Sequence, residues 1–482
     1  MNWLLLAELF YLLLIISVCV RIIFDTRSST KAAAYILLVI LLPFIGIFIY
    51  FSVGVNYRKR KLYSKNLFAE ELKAQVDGFI RKNRDRIFET APESLIKYSS
   101  LADLILNQNF SPLSDDNAVE LLINGEKKFP AVFEAIANAR HHIHLEYYIF
   151  EPDHIGLELI ELLIKKAAEG VKIRLIFDDF GSHKLHKEVK RMRKAGIEIF
   201  PFYEIKLFFF ANRMNYRNHR KIIVIDGETG FLGGINVSDK YINRDGNGNE
   251  WFWRDTHLKA EGSIVHSLQY VFMVDWNFCS KQKLEPDRHF FPIHKNEKAG
   301  DKIGQLVASG PDSDAPYILQ SLCRAISLAK EEILITNPYF IPSPTIMDLL
   351  LITALSGVKV KLLVPGISDS KLVNLANHSH FSEMLEAGIE VYTYTKGFVH
   401  AKTLVIDDDL AIVGTANMDF RSFDLNFEVN ALIYDCELAA ELKKAFYRDL
   451  EDSEKVDGEI WKQRPLYLQL LDRMVKLISP LL

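Results

Sequence analysis

The sequence predicts an α/β fold of two similar lobes with mixed sheets. The lobes are related by a pseudo-twofold duplication and preceded by two transmembrane helices. Three observations carry this expectation. First, His219-Arg220-Lys221-Ile222-Ile223-Val224-Ile225-Asp226, closed by Gly233-Gly234-Ile235-Asn236, recurs as His400-Ala401-Lys402-Thr403-Leu404-Val405-Ile406-Asp407, closed by Gly414-Thr415-Ala416-Asn417, with equal spacing throughout. Second, the helix and strand patterns upstream of each copy recur in the same order, as a duplicated unit requires. Third, two apolar runs open the chain.

A chain of 482 residues is long enough for two or three domains with sizeable cores. Its formal charge of −4 does not favour a nucleic-acid binder, which usually shows a basic face. The four cysteines, Cys19, Cys279, Cys323 and Cys436, show no C-x-x-C spacing and read as reduced structural thiols.

Residues 3–20 are almost wholly apolar, with Glu8 the one charge, and residues 32–53 form a second apolar run. Each approaches the roughly 20 residues that a helix needs to cross a bilayer. A cleaved signal peptide does not fit, because no basic leader or small-residue cleavage site is present and a second span comes at once. Pro43 and Gly46 are costly in a soluble helix but tolerated in membrane spans. Arg58-Lys59-Arg60-Lys61 comes directly after the second span and directs the large C-terminal part of the chain to the cytoplasmic side. The same cluster could hold anionic headgroups close to the protein. Residues 1–56 are thus expected as a two-span hairpin, and 57–115 as a polar helical connector.

The lobes are expected at 116–290 and 291–450. Residues 117–129 alternate polar and apolar, broken by Asn124-Gly125, a hairpin signal. Residues 135–140 lead as a helix end into a strand at 141–150; residues 325–330 lead likewise into 331–340. These strands end in Tyr-x-Phe and Tyr-Phe. Residues 170–177 match 357–364, and 195–199 match 387–391. Each half therefore reads β-α-β-α-β-β, an α/β layer arrangement. The halves differ most before His219, where the first inserts a segment containing Leu207-Phe208-Phe209-Phe210. This apolar knot is either core or a lip that meets lipid. Charged, Pro-containing residues 281–300 form a linker. Within 451–482, Tyr467, Leu471, Met474 and Ile478 follow helical spacing. That helix either docks on the body or lies in a membrane surface.

His and Lys alternate at the head of each motif strand and so project to one side of the pleat. Paired lobes bring equivalent surfaces face to face, so His219 and His400 share one site. One imidazole attacks and the other protonates the leaving oxygen. Lys221, Lys402, Asn236 and Asn417 supply the charge and donors that a phosphoryl group requires. No metal or cofactor is required. Glu428, after the second motif, and Asp255, after the first, are the carboxylates expected to orient the imidazoles. Asp226 and Asp407 lie beyond the apolar strands and brace the site. His141, His142 and His144 have no further converging ligand in view and read as structural.

Over residues 130–450 the sequence resembles the phospholipase D superfamily, whose signature is the duplicated H-x-K-x4-D. Within it, Tyr216-Arg217-Asn218-His219-Arg220-Lys221, Trp253-Arg254-Asp255-Thr256 and Arg464-Pro465-Leu466, together with the N-terminal spans, look like bacterial cardiolipin synthases. The resemblance implies the catalytic set His219, Lys221, Asp226, His400, Lys402 and Asp407. It also implies a phosphatidyl-histidine intermediate, with His219 as nucleophile and His400 as acid. Phosphatidylglycerol would be both donor and acceptor, giving cardiolipin and glycerol. Anionic membrane lipids would be the surroundings, with neither nucleic acid nor an obligate protein partner. The location implied is the bacterial inner membrane, multi-pass, with the lobes on the cytoplasmic side. Gly234 stands where many superfamily members have Ser. The rival readings are a phospholipase D that hydrolyses lipid to phosphatidic acid, a phosphodiesterase acting on nucleic acid, and a non-catalytic membrane scaffold.

Overall fold

A computed structural model describes residues 3–26, 29–51, 70–109, 111–204, 216–243, 251–292 and 298–478. The basic cluster at 58–61 and the Phe-rich segment at 207–210 lie outside the described residues.

The chain opens with α1 (Trp3–Asp25), α2 (Ser29–Leu41) and α3 (Pro43–Ile49). They pack through Val18, Ile22, Val39 and Tyr50, while Phe10 and Phe24 of α1 face outward at 71% and 73% exposure. Pro43 lacks an N–H and opens a new helix, so the second apolar run is divided into helices of 13 and 7 residues. α1 carries Glu8 in its first half and Arg21 and Asp25 near its end. Among the described residues no helix is long and apolar enough to cross a membrane. The two expected transmembrane helices are corrected to this set of three.

The connector contributes α4 (Glu70–Glu89), α5 (Glu93–Lys97) and α6 (Ser99–Asn109). Their Ile87, Leu95, Tyr98, Leu101 and Ile105 share a core with Ile318, Leu322 and Ile333 of the second half.

The first half begins with β1 (Ser114–Ile123) and α7 (Asn124–Asn138). Asn124-Gly125 does not turn a hairpin. Asn124, at φ 60°, swings the chain from β1 straight into α7. A Cβ on Gly125 would lie 2.4 Å from the Tyr241 carbonyl oxygen. The signal for a left-handed residue held, but Phe129, Val132 and Ile136 come next at helical spacing and are buried as one face. Then come β2 (His142–Tyr147), α8 (His154–Ala168), β3 (Lys172–Phe177), α9 (His186–Lys194) and β4 (Glu198–Pro201). The motif region is β5 (Arg217–Asn218), β6 (Lys221–Ile225) and β7 (Thr229–Gly233), followed by β8 (Phe252–Arg254), β9 (Thr256–Glu261) and α10 (Ile264–Ser280).

The second half repeats the order with β10 (Lys302–Ser309), α11 (Tyr317–Ser327), β11 (Glu332–Thr336), α12 (Pro344–Leu355) and β12 (Lys359–Pro365). It continues through α13 (Lys371–His378), α14 (Phe381–Glu386), β13 (Glu390–Tyr394) and β14 (Gly397–Val399). Its motif region is β15 (Thr403–Ile406), β16 (Leu410–Gly414), α15 (Phe420–Asp424) and β17 (Asn426–Tyr434). The chain closes with α16 (Cys436–Glu451), β18 (Ser453–Lys455), α17 (Gly458–Lys462) and α18 (Leu466–Ile478).

The two halves share one mixed sheet, ordered β18-β13-β12-β11-β15-β16-β17-β10-β1-β9-β7-β6-β2-β3-β4. β2, β3 and β4 pair in parallel, as do β11, β12 and β13, while each motif strand runs antiparallel to its neighbours. Ile143, Leu145, Ile173 and Leu175 of β2 and β3, and Ile333, Ile335, Val360 and Leu362 of β11 and β12, are buried in the cores of their halves. β1 and β10 pair at the centre and join the halves.

Two short ladders cross between the halves outside that path. β5 pairs in parallel with β17, and β8 with β14. The His219 amide donates to the Phe427 carbonyl at 3.0 Å, and the His400 amide to the Arg254 carbonyl at 2.7 Å. Each motif histidine is therefore delivered on backbone belonging to the opposite half.

Asp226 and Asp407 close the far ends of the motif strands, at φ 55° and 50°. Asp226 accepts the amides of Arg140, His141 and His142, each at 2.8 Å. Asp407 accepts those of Lys330, Glu331 and Glu332 and is ion-paired with Lys97 of the connector. Asp226→Ala strips acceptors from three amides and is expected to cost about 2 kcal/mol. Asp407→Ala should cost more, because it also removes one of the two carboxylates paired with Lys97, leaving only Asp409 at 3.5 Å. Urea unfolding of the purified protein measures both; stability equal to the parent would show the carboxylates to be idle.

Candidate active site

His219 and His400 line one cavity of about 380 Å³ between the halves, together with Asn236 and Asn417. The His219 ring donates from Nδ1 to Glu428, 3.0 Å from each carboxylate oxygen. The His400 ring donates from Nδ1 to Asp255 Oδ2 at 2.7 Å. A proton held on Nδ1 leaves Nε2 as the reactive nitrogen. The pairing crosses the halves: Glu428 comes after the second motif but serves the first histidine, and Asp255 does the converse. The crossed ladders produce this, because β17 carries Glu428 beside β5, and β8 leads into Asp255 beside β14.

The two carboxylates are held differently. Glu428 also accepts from Thr415 Oγ1 at 2.6 Å and from Asn426 Nδ2 at 3.3 Å. Asp255 accepts the Thr256 amide at 2.6 Å. A Cβ on Gly234 would lie 2.1 Å from Asp255 Oδ1, so the absent side chain is what lets this shorter carboxylate in. Thr415, at the matching place in the other half, instead supplies a hydroxyl donor.

Lys221 and Lys402 are buried beneath the histidines and donate to the carbonyls of His219 and His400, at 2.6 and 2.5 Å. Burial dominates the electrostatics. It pushes His219 down to about 4, with Lys221 assisting and Glu428 opposing. It pushes His400 down to about 3, with Lys402 assisting and Asp255 opposing. Lys221 falls to about 7 and Lys402 to about 8, again chiefly by burial and against the pull of the carboxylates. Burial would raise Glu428, but the His219 and Lys221 charges outweigh it and hold it low. Burial raises Asp419, on the cavity wall, to about 6. The unliganded site at neutral pH thus holds two neutral imidazoles over two partly charged ammonium groups, a setting that attracts a phosphate anion.

Asn236 Nδ2 donates to the Tyr241 hydroxyl at 2.7 Å, and its Oδ1 accepts the Ile149 amide at 3.2 Å. Asn417 Oδ1 is buried without a partner among the described residues. Asp226 and Asp407 are not brought to the cavity; they sit at the opposite ends of strands β6 and β15. Among the described residues no cluster of His, Cys, Asp and Glu is arranged to hold a metal. His144 and His142 both lie against Gln269, and His144 stacks on Phe272.

The aromatic wall of the cavity was not singled out from the sequence. Tyr148 meets the His219 ring edge-on at 4.8 Å, and Tyr339 and Trp253 approach His400 at 6.4 and 5.9 Å. The Tyr that ends both matched strands was the available signal: Tyr148 and Tyr339 are those two residues. Arg217 and Arg421 add positive charge to the wall.

Comparison with known proteins bears on this site. A family described as "Cardiolipin synthase, PLD-like domain" matches residues 132–263 and 322–450, and one described as "Phospholipase_D-nuclease N-terminal" matches 13–54. The chain is 38% identical over 474 residues to a cardiolipin synthase of Alkalihalophilus pseudofirmus, covering 98% of this chain and 93% of that one. It is likewise 38% identical over 484 residues to the major cardiolipin synthase ClsA of Bacillus subtilis, covering 99% of each. Among solved structures, phosphatidylserine synthase from Haemophilus influenzae superposes with a TM-score of 0.60 at 15% identity, over 80% of this chain and all of that one; this likeness is one of fold.

Lys221 and Lys402 are charged below about 7 and about 8 and neutral above. Tungstate, a dianion throughout, should therefore bind at least about tenfold more weakly at about pH 9.5 than at about pH 7. Lys221→Met should flatten the profile. Calorimetric titration checks this; a pH-independent affinity would remove the lysines from anion binding.

Proposed function

The chain belongs to the cardiolipin synthase family of phospholipase D-like proteins, and from that premise we propose that it moves a phosphatidyl group from one phosphatidylglycerol to another, giving cardiolipin and glycerol. The observation that carries this is the pair of imidazoles in one cavity, each oriented by a carboxylate of the opposite half and each backed by a lysine.

His219 Nε2 attacks the phosphorus of the first lipid, and the bond from phosphorus to the headgroup glycerol oxygen breaks. His400 Nε2–H gives its proton to that oxygen, and glycerol leaves. A terminal hydroxyl of a second phosphatidylglycerol then gives its proton to His400 and attacks the phosphorus. The N–P bond breaks and His219 is restored. Burial alone keeps His400 neutral at pH 7; a phosphodiester anion between the rings favours its protonated form. The contact of His219 Nδ1 with both oxygens of Glu428 supports its assignment as nucleophile, since attack leaves that ring cationic. Lys221, Lys402, Asn236 and Asn417 stabilise charge on the phosphoryl oxygens. Asp226 and Asp407 act at a distance, by fixing the strands that present the histidines.

The apolar N-terminal helices attach the enzyme to the bacterial cell membrane, and the Arg58–Lys61 cluster adds attraction to anionic headgroups. The exposed apolar surface of α1 supports this.

Purified protein in phosphatidylglycerol vesicles should yield cardiolipin with equimolar glycerol. Phosphatidic acid as the sole product would replace this reading with the hydrolytic one. His219→Ala and His400→Ala should each lower turnover by at least about a thousandfold, and substantial activity in either would refute a shared site. After acid-free quenching with labelled donor, the phosphoramidate should map to His219.

A further inference from the structure

The cavity rim is built from parts far apart in the chain. Ile341 and Val373 line the cavity and also belong to a small apolar cluster with Ala376, Phe420 and Val475 of α18. Phe420 lies between Asp419 and Arg421, both on the cavity wall. The ammonium of Lys31 in α2 sits 4.7 Å from the centre of the Phe420 ring and 4.0 Å from the Asp424 carboxylate. The C-terminal helix, α13 and the N-terminal helices therefore meet at one edge of the active site.

α18 touches the body by a narrow side. Val475 and Asp472 are 5% and 8% exposed, and Asp472 accepts from Arg464 at 2.7 Å. Its large apolar side chains point away. Leu466, Tyr467, Leu470, Met474 and Leu477 are 57–82% exposed. At about 100° per residue they fall on one arc of the helix surface. Isolated exposed apolar residues are ordinary, but a contiguous stripe marks a contact surface. Arg473 lies beside the arc with positive charge, while Lys476 is paired with Glu383 on the body.

We propose that α18 is an interfacial helix whose apolar arc lies in the bilayer surface and seats the cavity rim against the lipid. A lipid surface is the occupant because the arc shares an edge with two features. One is the outward apolar face of the N-terminal helices. The other is the mouth of the active-site cavity. Arg473 suits anionic lipid, as in other amphipathic helices that bind membrane surfaces. The consequence for turnover rests on the lipid-transfer reading; the docking itself does not.

Leu470→Glu/Met474→Glu in the full chain tests this, since both positions are exposed and should leave the fold intact. Turnover is read on phosphatidylglycerol vesicles and on dihexanoyl-phosphatidylglycerol dispersed as monomers. The expected result is at least about a tenfold loss on vesicles and less than about a twofold change on the dispersed lipid. Undiminished turnover on vesicles, or an equal loss on both substrates, overturns the proposal. Hydrogen exchange over residues 466–478 on the same vesicles reads the docking without chemistry: slower exchange in the parent than in the variant supports it, and equal exchange overturns it. Protection that grows with protein concentration in lipid-free solution would make a second copy the occupant and also overturn it. A parent inactive on both substrates would defeat the lipid-transfer reading, and the exchange comparison would still decide the docking.

Discussion

The rest of the site depends on two crossed strand pairs. β5 and β14 are three residues or fewer, too short to hold a place in a sheet by themselves. Each is held because it pairs with backbone of the other half, at β17 and β8. The residue after each short strand is the motif histidine, and the residue after or within its partner strand is the orienting carboxylate. One backbone ladder thus places both members of an imidazole–carboxylate pair, and repeating it by pseudo-symmetry places the second pair opposite the first. Separating the halves would remove the carboxylate from each ring as well as parting the rings.

Burial sets the chemistry that these ladders frame. In water a histidine is mostly neutral and a lysine mostly charged at pH 7. Beneath this cavity both are displaced downward, so the lysines come to titrate near neutrality. Such a cluster of cations is costly to assemble without an anion, and the carboxylates Glu428 and Asp255 offset only part of that cost. An incoming phosphodiester adds a negative charge that favours the protonated lysines.

Much of this was legible in the sequence and some was not. The duplication could be read because equal spacing of His, Lys, Asp, Gly and Asn has few other causes. The motif strands of each half could be read because strands buried on both faces need unbroken apolar or β-branched runs, as at 222–225 and 403–406. Glu428 and Asp255 could be picked out as carboxylates coming after each motif, but which histidine each serves could not. A two-residue strand has no periodicity, and pairing between halves leaves no local mark. Asn124-Gly125 was ambiguous in a different way. A left-handed Asn fits a hairpin or a sharp entry to a helix, and the buried face at Phe129, Val132 and Ile136 decides between them. Pro43 was visible from the start, yet whether it would be absorbed within one helix or divide two depends on packing against α1.

The unequal carboxylates have an evolutionary corollary. Asp255 occupies the space that a side chain at Gly234 would fill, whereas Glu428 leans on the hydroxyl of Thr415. The residue after the first motif glycine and the acid that faces it therefore form one unit of inheritance in each half. A larger residue at 234 would crowd Asp255, and losing the hydroxyl at 415 would strip a donor from Glu428. Two halves that began as copies have in this way become non-interchangeable, since neither can be converted into the other by single replacements without passing through a crowded or unsupported acid.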